Sequence, residues 1–248
     1  MKKKPKIIAV FISYKAAGTL AKFWADFPKK YFDEIILTDD ASDDKTFQIA
    51  QKLAGLTAYQ NSVNLGYGSN LKKALSLALG RGADIIVDIH PDGEYKPSAI
   101  PPALDKIQKE GYEFVLGNRF YSISALIKNG MYLWKLVPSF LLSFLDRLLL
   151  GIKLTDFHQG FRVYTKCLLE RINWQANSNS YLFSFELICQ AVYIKARIAQ
   201  VPVETCYRGK KRGATLKASF KYSLGTLKVL FFFFLAKAGL KIPIFQKP

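Results

Sequence analysis

The sequence predicts an α/β fold in which a mostly parallel, Rossmann-like sheet carries helices on both faces. Half of the 248 residues are hydrophobic, which excludes a disordered chain. In the first half, short β-branched runs alternate with segments of helical character. Such repeated strand–helix–strand units give parallel strands that are covered by helices on both faces.

The first two strand–helix units begin the chain. The run at 7–12 is continuously apolar and β-branched, as expected of a buried strand, and the helix at 19–27 ends near Pro28. A second strand at 34–38 leads into a helix at 44–53. The remaining predicted elements of the first half are strands at 57–60, 84–89 and 114–116 and helices at 69–79 and 98–109.

The second half has a different pattern, with longer apolar helices. Helices are predicted at 132–150, 183–194 and 218–240, and a strand at 197–203. A polar, glycine-containing loop begins at residue 155 and leads into a further strand. A basic loop follows at 208–213.

Ligands of such sheets bind beyond the carboxyl ends of the strands, so the loops that follow the strands are the candidates for a functional site. These loops are 13–18, 39–44, 64–68, 90–97 and 117–120.

An acidic turn follows the second strand directly. Asp39, Asp40, Asp43 and Asp44 supply four carboxylates within six residues. One interpretation is a contact to a base or ribose, and the other is an N-cap for the next helix, supplied by Ser42 or Asp43. The two are compatible, since one residue can cap while another binds.

A glycine-rich segment precedes the helix at 69–79. Asn64, Gly66 and Gly68 lie at its N-terminal end, where glycines allow a phosphate or a sugar to approach the backbone closely. Leu71 stands at the third glycine position of a GxGxxG pattern, so a dinucleotide site is not indicated.

The strongest strand ends in Asp88, His90 and Asp92, which fall on one side of an extended chain. Carboxylates with one imidazole suit Mg²⁺ or Mn²⁺ on a diphosphate. The alternative is a plain turn, because Pro-Asp-Gly is a common turn sequence.

An acid, an imidazole and a guanidinium stand close together at 155–162. Asp156 is a candidate general base, and His158 and Arg162 are candidates to hold phosphate. A structural Asp–Arg pair with His158 as scaffold is the alternative interpretation.

Together these motifs resemble those of the family 2 glycosyltransferases, most closely the branch of dolichyl- and polyprenyl-phosphate sugar synthases. The matching segments are 12–15, 39–46, 64–68, 90–95, 117–119, 156–162, Glu186, 201–203 and 208–212. Two residues depart from the family pattern: Lys15 stands where Asn is usual, and His90 replaces the first Asp of the metal motif.

The resemblance implies a GT-A fold and a metal-dependent, inverting transfer of a sugar from a UDP- or GDP-sugar. The catalytic domain would span 1–217, with a nucleotide-binding half at about 1–120 and an acceptor half at about 121–217. A basic amphipathic helix at 218–248 would associate with the membrane. The expected acceptor is a polyprenyl phosphate. A glycan or other hydroxyl acceptor, or a degenerate sugar-nucleotide-binding protein, are the alternatives.

The resemblance also implies residue roles. Asp92, with His90, would hold the divalent cation, and Asp156 would act as base for a hydroxyl acceptor, whereas an ionised lipid phosphate needs none. Arg119 and Arg162 would hold phosphate oxygens. The expected nucleotide-sugar contacts are Tyr14, Asp40, Ser42, Asn64, Gly66, Gly68, Asp88 and Arg119. The expected phosphate contacts of the basic loop are Arg208, Lys210, Lys211 and Arg212.

The formal charge of +17 lies mainly at the two ends of the chain. Residues 1–30 carry eight bases and one acid, and residues 194–248 carry twelve bases and one acid. The C-terminal bases flank an apolar run at 229–236, which is shorter than the roughly 20 residues of a spanning helix. This pattern predicts peripheral contact with anionic lipid on the cytoplasmic face of the membrane. Nucleic acid is not an expected partner, since no such binding motif is present.

Overall fold

The computed structural model describes residues 4–207 and 216–248, so the four predicted phosphate contacts Arg208, Lys210, Lys211 and Arg212 lie outside the described residues. The strands are β1 (Ile7–Ser13), β2 (Glu34–Asp39), β3 (Thr57–Gln60), β4 (Ile85–Asp88), β5 (Phe114–Asn118), β6 (Arg162–Thr165) and β7 (Ile198–Pro202). The helices are α1 (Leu20–Asp26), α2 (Thr46–Gln51), α3 (Tyr67–Gly80), α4 (Ile100–Gln108), α5 (Ile123–Lys128), α6 (Leu133–Leu150), α7 (Lys166–Arg171), α8 (Phe183–Tyr193) and α9 (Leu216–Lys237).

The described strands form one sheet in the order β3-β2-β1-β4-β6-β5-β7. Neighbouring strands run parallel except at β6, which is antiparallel to both β4 and β5. The prediction of a mostly parallel sheet with helices is therefore confirmed.

Both faces of the sheet are buried, and β1 illustrates how. Ile8, Val10 and Ile12 point into one core layer, while Ala9 and Phe11 point into the other. The first layer is completed by α3, α8 and α9, and the second by α1 and α4. Because side chains alternate along a strand, burial on both faces requires a continuously apolar run.

The predicted C-terminal helix is present as α9, and it carries apolar residues on two sides. Val229, Leu230 and Phe233 are buried in the core layer that α8 shares, so this face of α9 is held by the body of the protein. An amphipathic helix held in this way would have polar residues on its opposite face. In α9 the opposite face carries exposed Phe220 and Phe231. The stretch Lys217–Lys237 is also long and apolar enough to cross a membrane by length and composition, with 22% of its most apolar window buried. The expectation that it falls short of that length is thus wrong, because the helix extends well before the apolar run.

Candidate active site

The predicted site loops meet at one edge of the sheet. In the register of β1 against β2, Ser13 pairs with Asp39, and Tyr14 follows with half of its surface exposed. Asp88 ends β4, and Arg119 directly follows β5. Because β1, β2, β4 and β5 are parallel, their carboxyl ends bring these loops to the same edge.

The acidic turn after β2 is shaped by bonds within the chain. Buried Asp39 accepts hydrogen bonds from the backbone N–H of Ser42 at 3.0 Å and from Gln60 Nε2 at 3.1 Å. Asp44 accepts from the backbone N–H groups of Thr46 and Ala17, so it satisfies the start of α2. The predicted cap, Ser42 or Asp43, is corrected accordingly.

The loops that follow β1 and β2 contact each other at two residues with a left-handed backbone conformation. Lys15 has a φ of 54° and Ala41 a φ of 55°, and the backbone N–H of Lys15 donates to Ser42 Oγ at 2.8 Å. Residues other than Gly, Asn and Asp adopt this conformation at a cost. The Asn that is usual at position 15 in the resembling family would therefore suit the backbone here.

Asp40 positions the glycine-rich loop. It is 3% exposed, and its carboxylate accepts from the backbone N–H groups of Leu65 at 2.9 Å and Gly66 at 2.8 Å and from Asn61 Nδ2 at 2.8 Å. Asn64 also accepts from the Gly66 N–H. The contact of Asp40 with a base or ribose stays a prediction, because the bonds described here all lie within the chain.

The glycines of this loop make room for another part of the chain. An ideal Cβ at Gly68 would lie 2.3 Å from the carbonyl oxygen of Ser178, and one at Gly66 would lie 2.9 Å from that of Asn179. The Gly68 N–H donates to the Asn179 carbonyl at 2.9 Å. The two glycines therefore allow the backbone of residues 178–179 to approach the loop closely, whereas the sequence predicted the approach of a phosphate or a sugar.

Replacing Gly68 by alanine is expected to destabilise the protein by about 1–3 kcal/mol, because the added methyl meets a backbone carbonyl that cannot move alone. Gly80→Ala is the matched control in the same helix, since an ideal Cβ there meets nothing within 4 Å. Urea unfolding of both variants measures the difference. Equal stabilities would contradict the tight packing of α3 against 178–179.

The turn after β4 fits both interpretations made for it. Asp92 is partly exposed and accepts from the backbone N–H of Glu94 at 2.8 Å, as a turn residue does. His90 lies edge-on to Tyr67 and Tyr95, with centroid distances of 5.6 and 6.2 Å. Burial lowers the pKa of His90, which keeps the imidazole neutral and able to ligate a metal.

The residues of this turn fit a divalent cation that is shared with a diphosphate. His90 Nε2 is buried and has no hydrogen-bond partner among the described residues. Within 4–207 and 216–248, no group of three His, Cys, Asp or Glu side chains can hold a metal ion by itself. Mg²⁺ is commonly held by one or two carboxylates together with substrate phosphates, which is the role open to Asp92.

Asp88 lies inside the protein, below the edge. It is fully buried, and the Tyr164 hydroxyl donates to its Oδ2 at 3.2 Å. Burial raises the pKa of Asp88. Arg162 lies opposite it across β4 and β6, and its Nη1 donates to Tyr67 Oη at 3.4 Å. Both side chains are buried, and Asp88 Oδ1 and Arg162 Nε have no hydrogen-bond partner among the described residues, so the expected contacts of Asp88 with a nucleotide sugar and of Arg162 with phosphate stay predictions.

Arg119 and Asp156 form a buried, bidentate ion pair. Arg119 Nε donates to Asp156 Oδ2 at 2.8 Å, and Nη2 donates to Oδ1 at 2.9 Å. Burial is the largest influence and by itself would raise the pKa of Asp156, but the charge of Arg119 and the hydrogen bonds that Arg119 donates together hold that pKa below its usual range. The alternative interpretation of a structural Asp–Arg pair is the one observed, with Arg119 as the partner. Asp156 is thus engaged and is not a free base, and Arg119 is not free for phosphate.

His158 also has internal partners. Its Nε2 lies 2.8 Å from Asp146 Oδ2, and its Nδ1 lies 3.0 Å from Tyr222 Oη. Its predicted role as a phosphate ligand is corrected, because both ring nitrogens are in use. The sequence carried a signal for Asp146, which interrupts an apolar helix, but none for Tyr222.

Comparison with known proteins supports this assembly of motifs. The model of the family described as Glycosyl transferase family 2 matches residues 9–172. The chain is 30% identical over 218 residues to a UDP-N-acetylglucosamine–dolichyl-phosphate N-acetylglucosaminyltransferase of Methanococcus voltae, covering 80% of this chain and 86% of that one. It is 27% identical over 176 residues to a polyprenol monophosphomannose synthase of Mycolicibacterium smegmatis, covering 68% and 65%.

Among solved structures, the chain is similar to glucosyl-3-phosphoglycerate synthase of Mycobacterium tuberculosis in complex with Mn²⁺, UDP-glucose and phosphoglyceric acid. The TM-score is 0.68 at 19% identity, over 96% of this chain and 81% of that one. At this identity the likeness is one of fold.

Proposed function

This chain belongs to glycosyl transferase family 2 and has the GT-A fold, and on that premise we propose that it transfers a sugar from a UDP- or GDP-sugar to a polyprenyl phosphate at a membrane surface. The curated relatives support this acceptor class, since two of them are named for transfer to dolichyl or polyprenol phosphate. The degenerate, merely binding alternative has no such support.

In the proposed reaction an acceptor phosphate oxygen attacks the anomeric carbon in line, the bond to the nucleoside diphosphate breaks, and the configuration inverts. A divalent cation, Mg²⁺ or Mn²⁺, held at Asp92 beside His90 would offset the charge on the departing diphosphate. Tyr14 and Asn64 are exposed in loops that follow β1 and β3, and they would contact the nucleotide sugar. Ser42 keeps the two loops next to that edge together.

The pairing of Asp156 bears on the choice of acceptor. A hydroxyl acceptor needs a base, and the predicted base is held by Arg119 with its pKa lowered, which makes it a poor proton acceptor. A lipid phosphate is already ionised near neutral pH and needs no base. This arrangement favours the phosphate acceptor over a glycan hydroxyl.

The observation that carries the membrane part of the proposal is a pair of exposed apolar stripes. On α6 and α9, exposed residues recur three and four positions apart, so each series follows one side of its helix. The exposed apolar residues are Trp134, Val137, Leu141, Phe144 and Leu148 on α6 and Phe220, Leu224, Leu227, Phe231 and Phe234 on α9. Patches of this kind mark interaction sites.

The charges beside the stripes favour a lipid surface over a second protein copy. Lys217, Lys221, Lys228 and Lys237 are all exposed on α9. Near an anionic leaflet each base contributes on the order of 1 kcal/mol. We therefore place both helices against the cytoplasmic face of the membrane, in the plane of its surface, as part of the same proposal.

The test combines binding and transfer. The chain is incubated with vesicles of anionic lipid and polyprenyl phosphate, Mn²⁺ and a panel of UDP- and GDP-sugars, and glycosylated lipid is detected by mass spectrometry. Phe231→Glu is expected to weaken vesicle binding by at least about tenfold, because one buried aromatic side chain contributes about 1.5–3 kcal/mol. Gln51→Glu on α2 is the control, since it adds the same charge away from the stripes.

Transfer to lipid by the wild type, reduced by Phe231→Glu and not by Gln51→Glu, supports the proposal. Absence of vesicle binding at every salt concentration would overturn the membrane part. A self-associated species in solution that Phe231→Glu dissociates would assign the stripes to a second copy instead.

A further inference from the structure

A polar chain of three side chains lies beneath the exposed apolar stripes. Asp146 comes from α6, His158 from the loop before β6, and Tyr222 from α9. We propose that His158 is a positioning residue that fixes α6 and α9 to each other and to the segment 155–162, with Asp146 and Tyr222 as its two anchors. This inference rests on the proposed membrane function and concerns residues that carry no role in the reaction itself.

The three side chains are closely packed. Asp146 is fully buried, and the His158 side chain is 9% exposed. The imidazole lies 5.6 Å from the ring of Phe185 on α8 and 5.4 Å from the ring of Tyr222, centroid to centroid. The ring is therefore packed by aromatic groups while both of its nitrogens meet oxygens.

An imidazole can form one hydrogen bond at each of its two ring nitrogens. An ionised carboxylate only accepts, so Nε2–H would donate to Asp146 Oδ2, while the Tyr222 hydroxyl can either donate to Nδ1 or accept from it. The Tyr222 hydroxyl and Asp146 Oδ2 each gain a partner in this way, whereas Asp146 Oδ1 is buried with no hydrogen-bond partner among the described residues. A buried carboxylate within an apolar helix is costly unless it is paired, so the presence of Asp146 in α6 is explained by His158.

The backbone of His158 continues the connection toward the site edge. Its N–H lies 3.3 Å from Asp156 Oδ1, and its carbonyl accepts from Arg119 Nη2 at 2.9 Å. One residue thus touches the buried ion pair through its backbone and both striped helices through its ring. For an acceptor embedded in a membrane, the angle of these helices decides where its phosphate meets the site edge.

The test uses the full chain and two variants that each remove one anchor. Tyr222→Phe deletes only the hydroxyl, and Asp146→Leu replaces the carboxylate with an apolar group of similar volume. In each variant, hydrogen–deuterium exchange is expected to rise about tenfold in both α6 and α9, because loosening either anchor frees the shared ring. The KM for polyprenyl phosphate should rise by about the same factor, with kcat and nucleotide affinity unchanged.

Leu104→Ala on α4 is the control, because it destabilises the other core layer and touches neither helix. If it reproduces the same split between KM and kcat, the anchors act through general stability and the inference is overturned. Unchanged exchange in α6 for Tyr222→Phe would also overturn it, and this variant carries the test if Asp146→Leu fails to fold. If the wild type modifies no polyprenyl phosphate, the proposed function fails, and the exchange result alone still decides the positioning role.

Discussion

Asp92→Ala is expected to lower kcat for sugar transfer by at least about a thousandfold while the protein stays folded. A cation on the departing diphosphate would supply several kcal/mol of charge stabilisation, and Asp92 is the carboxylate that we propose holds it. The side chain is partly exposed in a turn, so its loss leaves no cavity in either core layer. Transfer is measured by mass spectrometry of the lipid product, and folding by circular dichroism and the melting temperature.

The control for this prediction is Asp105→Ala, which removes an exposed carboxylate of α4 paired with Lys109. An exposed pair contributes little, so both activity and stability should be retained. Binding of Mn²⁺ in the presence of UDP, followed by calorimetry, should be lost in Asp92→Ala alone. Full activity of that variant would refute the metal assignment.

The sheet and its functional edge could be predicted because they depend on local patterns. Continuous apolar runs identify strands buried on both faces, and β1 and β4 are of this type. The polar segments after them had to meet at one edge once the strands were parallel. The antiparallel direction of β6 could not be predicted, since nothing in a run of four residues records which neighbour it will pair with.

Side-chain partners were harder to predict because they are chosen across the fold. Gly66 and Gly68 have the local pattern of a phosphate loop, yet their free space is filled by backbone more than 100 residues away. His158 meets Tyr222 across 64 residues. The short helices α5 and α7, six residues each, offer too few turns for an apolar period, although Ser122 and Thr165 cap them.

The buried pair of Arg119 and Asp156 should dominate the stability of the site edge. Arg119→Met is expected to lower the free energy of unfolding by about 3–5 kcal/mol at pH 7, because it leaves the Asp156 carboxylate buried and uncompensated. Urea unfolding measures the loss. The double variant Arg119→Met/Asp156→Leu should recover most of it, since replacing both charges with apolar groups is often neutral.

The pH dependence of the free energy of unfolding distinguishes the loss of the Arg119 charge from the loss of its side-chain packing. In the wild type the pKa of Asp156 is lowered, so the stability it contributes is present above the ordinary carboxyl pKa of about 3.9 and is lost as the pH falls through the lower folded value. In Arg119→Met the arginine charge and its side-chain bonds are gone, and we expect burial, the largest influence, to exceed the backbone N–H bonds from residues 119 and 158 and to raise that pKa above its ordinary value. The variant then loses stability as the pH rises from about 4 toward 7, through the raised pKa. The difference in the free energy of unfolding between wild type and variant must therefore be largest at pH 7 and smaller at pH 4. An equal difference at both pH values would mean that the destabilisation comes from the lost packing of the arginine side chain and not from the unpaired carboxylate.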